Sequence, residues 1–366
     1  MASIGIDARK YFDFGIGTYI QNLIVGLSAI RTNHSFAVYV SHDDAPGITL
    51  PDSWKKIGVG YGKYSIGEIV ALGRQAKREG IDLFHSPHYT LPVGLKRCSV
   101  VTIHDLIHLR FPRYFNAIQR SYAYTMIRHA VRHAGAIITD SEFTKQDILR
   151  LFRTRQDSIH VVHLGVKEDF KPVQDKEILR AFRNQYRLQK PYILYVGSTK
   201  PHKNIATLLR AFKNISSRHN DLDLVFVGES FFENKMLLTE SNHLRIGDRI
   251  IDLGRLSTHD LRCAYSSAEM LVLPSEYEGF GLPAVEAMAC GTPVIVSNGG
   301  SLPEIAGQAA LVFDLKQPDL LVECIDMLIS NTPLRKELMA KGKNNLLRFS
   351  WQVAAQKTLK IYESLL

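Results

Sequence analysis

Met270-Leu-Val-Leu-Pro-Ser-Glu-Tyr-Glu278-Gly-Phe-Gly-Leu-Pro-Ala-Val-Glu286-Ala-Met-Ala-Cys-Gly-Thr-Pro293 carries the most information in this chain. Its first four residues form an apolar run of strand length. Pro283 suits the opening of a helix. Between them, Gly279 and Gly281 let a backbone come close to a ligand. A helix starting near Pro283 aims its unbonded N–H groups and positive dipole end at an anion. Glu286 then lies on the helix and Glu278 on the loop before it. Two carboxylates so placed can clamp a molecule bearing both negative charge and hydroxyls, which describes a nucleotide-sugar. The plain alternative is a strand, loop and helix with two solvated acids. The Gly-Phe-Gly-Leu-Pro loop weighs against it.

Outward from this stretch, apolar strand-like runs alternate with helical patterns. The first half has such runs at Ile4–Ile6, Phe36–Val40, Leu83–Phe84, Val100–Ile103, Ala136–Thr139 and Ile159–Val162. Helical segments are expected at Gly17–Ala29, Ile66–Arg78, Ile118–His133 and Glu142–Phe152. The second half repeats the alternation from Tyr192–Val196 to Leu311–Phe313. Alternation of this kind argues for parallel sheets covered on both faces, and it occurs twice. The expected fold is α/β, with two doubly wound Rossmann-like domains. The expected domains are 1–172, 173–348 and a terminal segment 349–366, where Ser350 can cap a last helix.

A chain of 366 residues fits two cores better than one. Hydrophobic residues make up 45% and charged residues 22%, but no apolar run reaches membrane-spanning length. Asp7 comes too early for a secretory leader. Cys98, Cys263, Cys290 and Cys324 are scattered and suggest neither a disulfide framework nor a zinc cage, so a cytoplasmic location is expected. Residues 1–172 hold 22 lysines and arginines against 15 acids, a net of +7, and the remainder has +2. The first half is therefore the basic half, which by charge suits acidic lipid, a phosphorylated acceptor or nucleic acid, though no nucleic-acid partner is expected.

The acid pair and its surroundings resemble glycosyltransferase family 4, whose members are retaining enzymes of GT-B architecture. Phe280, Gly281, Leu282, Pro283, Ala287, Met288, Ala289, Gly291, Pro293 and Val294 match the family pattern, as does Gly299-Gly-Ser-Leu-Pro-Glu304. The resemblance implies that Glu278 bonds the donor sugar and Glu286 the ribose hydroxyls. Gly279, Phe280, Gly281 and Leu282 would line the donor between them. It also implies a final helix that returns to the first domain.

Three more segments fall past strand-like runs, where open α/β sheets bind ligands. Phe14-Gly15-Ile-Gly17-Thr-Tyr19 resembles the family's glycine loop facing the donor, although it lacks a dinucleotide fingerprint because Ile20 stands at the third small position. Val101-Thr-Ile-His104-Asp105 offers a His and an Asp to orient hydroxyls near the reacting carbon. In Tyr195-Val-Gly197-Ser198-Thr-Lys-Pro-His-Lys203-Asn204, Lys203 would meet phosphate oxygens as a point charge and Asn204 could cap a helix. The family commonly has an Arg where this chain has Ser198, so one phosphate cation is missing or comes from Lys200, His202 or Arg9. Arg255 and Leu256, after the run Ile250–Leu253, complete the expected donor site.

Asp221-Leu-Asp223 spells the Asp-x-Asp of metal-dependent GT-A enzymes. It precedes a strand instead of following one and reads as a loop, so no catalytic metal is expected. His104-Asp-Leu-Ile-His-Leu-Arg-Phe-Pro112 together with Pro201-His-Lys-Asn204 resembles bacterial surface-polysaccharide mannosyltransferases. That implies GDP-mannose as first donor and UDP-sugars next, with no other cofactor. Glu278, His104, Asp105 and Lys203 are the candidate catalytic residues. The acceptor would be a glycan or a lipid-linked molecule, with peripheral contact at the inner face of the cytoplasmic membrane through Arg110, Arg113, Arg120, Arg128 and Arg132. A sugar-nucleotide epimerase or hydrolase, or an inactive nucleotide-sugar-sensing protein, remains an alternative.

Overall fold

A computed structural model describes residues 1–60, 66–95 and 98–366. The chain divides into two compact units. One holds residues 1–165 and 350–366, and the other holds 166–349.

The first unit runs β1 (Ser3–Asp7), α1 (Ile16–Ser28), β2 (Ser35–Ser41), β3 (Lys55–Val59), α2 (Ile66–Arg78), β4 (Leu83–Ser86), β5 (Ser99–Ile103), α3 (Ile107–Arg110), α4 (Ala117–His133), β6 (Ala136–Thr139), α5 (Glu142–Leu151) and β7 (Ile159–Val161). Its seven strands lie in the order β3-β2-β1-β4-β5-β6-β7, with every pairing parallel. β1, β4, β5 and β6 are almost wholly buried, which explains their continuous apolar runs. β3 was not legible in the sequence. Only Ile57 and Val59 of Lys55-Lys-Ile-Gly-Val59 are buried, because the strand lies at the sheet edge.

The second unit runs α6 (Lys176–Gln185), β8 (Tyr192–Gly197), α7 (Ile205–Ser216), β9 (Asp223–Gly228), α8 (Lys235–His243), β10 (Ile250–Asp252), α9 (Thr258–Ser267), β11 (Met270–Leu273), α10 (Leu282–Ala289), β12 (Val294–Ser297), α11 (Leu302–Ala306), β13 (Ala310–Phe313), α12 (Leu320–Ser330) and α13 (Thr332–Asn345). Its parallel sheet has the order β10-β9-β8-β11-β12-β13. Two apolar clusters cover its two faces, one around Phe212, Phe226 and Phe313 and the other around Tyr265, Leu271 and Met288.

The unit boundary lies before Val166, earlier than the expected 172. Phe170 and Val173 are buried in the second unit's cluster and Val166 packs against it, so this segment belongs with that core. The last helix, α14 (Trp351–Glu363), is capped by the Ser350 hydroxyl on the Val353 amide and belongs to the first unit. It packs on α1, where a Cβ at Gly26 would lie 2.7 Å from the Ala355 Cβ. Only glycine allows that approach.

In each sheet the order reverses at one place, between β1 and β4 and between β8 and β11. Loops leaving neighbouring strands part there, opening a crevice at the carboxyl edge.

Candidate active site

Lys203 follows β8 and Glu278 follows β11, the two strands that flank the reversal in the second sheet. Lys203 closes a short 3-10 turn at Pro201–Lys203. Asn204 comes next in left-handed backbone, with φ 53°. Its side chain does not cap α7 as expected. The Nδ2 donates to the Pro274 carbonyl at 3.1 Å, and the Oδ1 accepts from the Thr207 hydroxyl. The residue therefore ties the end of β11 to the start of α7, which holds Lys203 beside the Glu278 loop.

Lys203 Nζ donates to Glu278 Oε1 at 2.7 Å, with the two side chains 19% and 16% exposed. The Ser275 hydroxyl donates to the same oxygen, also at 2.7 Å. Burial alone would raise the Glu278 pKa, but Lys203 and Ser275 more than offset it and hold the carboxyl below its usual value. Oε2 has no partner among the described residues.

The loop backbone is pinned from Gly299-Gly-Ser301. The Ser301 amide and hydroxyl both donate to the Glu278 carbonyl at 3.0 Å, and the hydroxyl also reaches the Phe280 carbonyl. Gly300 has φ 61°, and a Cβ there would stand 2.4 Å from the Glu278 amide nitrogen. Gly281, at φ 97°, occupies the N-cap position of α10. Phe280 turns inward, with its ring edge-on to Phe349 at 5.5 Å, and so anchors the loop. Gly279 is buried and Leu282 half-buried at the start of α10.

Glu286 lies on α10. The Tyr265 hydroxyl donates to its Oε2 at 2.8 Å, and burial raises its pKa despite that bond. Its Oε1 has no partner among the described residues. Each acid of the pair thus has one oxygen committed and one oxygen unassigned.

Gly197 ends β8 beside Gly228 of β9. The Ser198 carbonyl accepts from the Tyr195 hydroxyl. Lys200 is exposed and His202 is buried. Arg9, in the first unit, forms a buried two-point pair with Asp7, Nε to Oδ1 at 2.8 Å and the terminal nitrogen to Oδ2 at 2.5 Å. Arg255 is exposed, and Leu256 packs against the second unit's core. Asp223 is taken up by Arg249 at 3.0 Å as β9 begins, matching its reading as a loop entering a strand. Among the described residues no group of three metal-ligating side chains converges.

In the first unit, Gly15 provides the N-cap of α1 and Gly17 is buried in its first turn. His104 follows β5, but its partner is Asp140 rather than Asp105. Nδ1 lies 2.6 Å from Asp140 Oδ2, and Nε2 lies 3.1 Å from the Pro87 carbonyl. A carbonyl only accepts, so Nε2 carries a proton and is no proton acceptor. Both His104 ring nitrogens are therefore engaged within the first unit. Burial would lower the His104 pKa, but Asp140 outweighs it and the net shift is upward. Asp105 accepts from the Ile107 amide at 3.0 Å and shapes the start of α3. Behind His104 runs a buried chain in which Tyr362 of α14 meets His85 Nδ1 at 2.6 Å, His85 Nε2 meets Thr102 at 2.8 Å, and Thr102 meets Tyr19 at 3.0 Å. Burial pushes the His85 pKa down to about 3, so it stays neutral. The Tyr19 ring stands edge-on to His104 at 4.9 Å.

Ser275, Ser301, Tyr265 and Asp140 were missed in the sequence. Ser275 and Ser301 lie in or beside the recognised motif, so a polar residue near Glu278 was a usable signal. Asp140 directly follows the run Ala136–Thr139, the same strand-end signal that singled out His104, whereas Tyr265 had none.

On α4, Ala123, Ile127 and Ala130 face inward, joined by Val131, while Arg120, Arg128 and Arg132 are exposed. Arg110 leaves the expected basic group, since its Nε lies 3.4 Å from the buried Asp147. Arg113 stacks on Tyr114, 4.8 Å from the ring centre.

A family model described as Glycosyltransferase Family 4 matches residues 15–170, and one described as Glycosyl transferases group 1 matches 178–345. O-antigen chain mannosyltransferase B of Escherichia coli is 32% identical over 284 residues, covering 77% of this chain and 74% of that protein. Among solved structures, sucrose-phosphate synthase from Thermosynechococcus elongatus superposes with a TM-score of 0.82 at 21% identity, over 100% and 99% of the two chains. Anabaena HepE, solved with UDP and glucose, gives 0.79 at 16% identity over the full length of both. The fold is GT-B.

Proposed function

The chain belongs to glycosyltransferase family 4 and is a glycosyltransferase, and on that premise we propose that it moves a hexose from a nucleoside-diphosphate sugar to an acceptor hydroxyl with retention of configuration and without a metal. The observation that carries this reading is the meeting of Lys203 and Glu278 past the two switch-point strands, with α10 beginning just beyond Glu278. A cation and a helix N-terminus suit a diphosphate, and a carboxylate with an open oxygen suits sugar hydroxyls.

On this reading each group has a role. Glu286, with Oε1 open, takes the ribose hydroxyls. Glu278 orients the hexose. As the sugar–phosphate bond stretches, negative charge collects on the leaving diphosphate, and Lys203 and the α10 amides stabilise it. The leaving diphosphate itself takes the acceptor proton on the same face, so no side chain serves as general base. His104 contributes position and charge. GDP-mannose is the first donor, supported by the mannosyltransferase relatives, and UDP-sugars come second. The acceptor is a glycan or lipid-linked molecule, and the exposed arginines of α4 suit an anionic surface.

Incubation with GDP-mannose or UDP-glucose and candidate acceptors, followed by NMR of the product's anomeric centre, tests the reading. Inverted product would overturn the mechanism. Donor consumption that is the same with and without acceptor would favour a hydrolase instead.

A further inference from the structure

Lys203 and Glu278 are the two groups through which the proposed donor's phosphate and sugar would be held, and without ligand they are bonded to each other at 2.7 Å. We propose that Glu278 is a competitor for Lys203 as well as a sugar ligand, so that the site prefers an intact nucleoside-diphosphate sugar to the nucleoside diphosphate left after transfer. This rests on the reading above.

A diphosphate alone draws Lys203 toward itself and leaves Glu278 only a share of the ammonium's three donors. The carboxylate's cation is then divided while the ligand's negative charge arrives beside it, and like charges at short range repel. The Glu278 backbone has no room to retreat, being held by two Ser301 bonds and packed against Gly300. Only side-chain torsions remain. An intact donor makes the same demand on Lys203 but brings hydroxyls, which donate to the open Oε2 and offset the weakened ammonium bond at Oε1. The exchange is then balanced for the donor and unbalanced for the diphosphate. Once the sugar has moved to the acceptor, Glu278 has lost its donors and reclaims Lys203, which loosens the product. Ser275 keeps Oε1 aimed at Lys203 throughout.

The consequence runs against ordinary intuition about a binding-site residue. Glu278→Gln keeps the shape of the side chain and removes its charge, and it should bind GDP and UDP about tenfold more tightly than the unaltered protein, equivalent to about 1.4 kcal/mol. Lys203→Met should bind both more weakly. Adding Glu278→Gln to Lys203→Met isolates the like-charge repulsion, so the competition is the part of the Glu278→Gln gain that requires Lys203. Titration calorimetry with GDP and UDP reads all four proteins. Glu278→Asp is the second variant, too short by one methylene to hold Lys203 at the same distance, and it should show a gain in the same direction. If the unaltered protein binds a nucleoside diphosphate through Lys203 but neither Glu278 variant binds it more tightly, the competition is refuted and the donor-site reading stands. If no nucleoside diphosphate binds, or Lys203→Met has no effect, the donor-site reading fails and the competition falls with it.

Discussion

Replacing Gly300 by alanine should damage the second unit well beyond the effect of an equally left-handed glycine in open space. Gly300 has φ 61° and Gly254 has φ 60°, so the backbone penalty for a side chain is the same at both, about 1–2 kcal/mol. The surroundings differ. A Cβ at Gly254 meets nothing within 4 Å, whereas one at Gly300 stands 2.4 Å from the Glu278 nitrogen and 2.5 Å from its carbonyl oxygen. Both neighbours are backbone and neither can rotate away. The segments must part by about half an ångström, and forced overpacking of that kind adds about 1–3 kcal/mol. At roughly 2–4 °C per kcal/mol for a unit of this size, Gly300→Ala should melt about 5 °C below Gly254→Ala. The Ser301 bonds to the Glu278 carbonyl are in the path of the movement, so sugar transfer should fall about tenfold, since half an ångström is half the misplacement that costs about a hundredfold. Scanning calorimetry is the suitable assay. Both tryptophans, Trp54 and Trp351, lie in the first unit, so tryptophan fluorescence would miss the change. Equal melting of the two variants, or full activity of Gly300→Ala, would refute the claim that Gly300 spaces the Glu278 loop.

Tyr265→Phe removes the donor to Glu286 Oε2, so the already raised Glu286 pKa should climb further; donor affinity should weaken about five- to thirtyfold, with the acid limb of the pH profile moved upward. Unchanged donor affinity would exclude Tyr265 as support for the ribose site. His104 and Asp140 both have raised pKa values, so the native state holds more protons than the unfolded chain, and stability falls as pH rises through the shifted values, above 6.5 for the histidine. Asp140→Asn should abolish that fall, and nitrogen NMR should show His104 losing its second proton at lower pH than in the unaltered protein. Activity should survive excess EDTA; complete loss restored by magnesium or manganese would reverse the metal-independent mechanism. Arg128→Glu combined with Arg132→Glu should reduce flotation with anionic vesicles at low salt, each cation contributing about 1 kcal/mol near such a surface. Equal flotation of both proteins would remove the membrane contact.

The two doubly wound sheets were readable from residue order because a strand buried on both faces writes its environment into consecutive residues. Val100–Ile103 and Met270–Leu273 carry that signal without help from the rest of the chain. β3 does not, since an edge strand with two buried residues looks like a loop. The Glu278–Glu286 loop was also legible, because its glycines, proline and acids lie within one short stretch and each has a local reason to be there. What those acids touch was not. Lys203 reaches Glu278 across 75 residues, Asp140 reaches His104 across 36 and Tyr362 reaches His85 across 277. Such pairs have no period and no fixed spacing. The first two are set by strand order, which brings the ends of β8 and β11, and of β5 and β6, side by side, and the third by α14 packing within the first unit. Position and residue type therefore gave Lys203 to a phosphate, and the family resemblance gave Glu278 to a sugar, as independent assignments. Sheet topology decided that they bond to each other first, because adjacent parallel strands deliver the residues past their carboxyl ends to the same place.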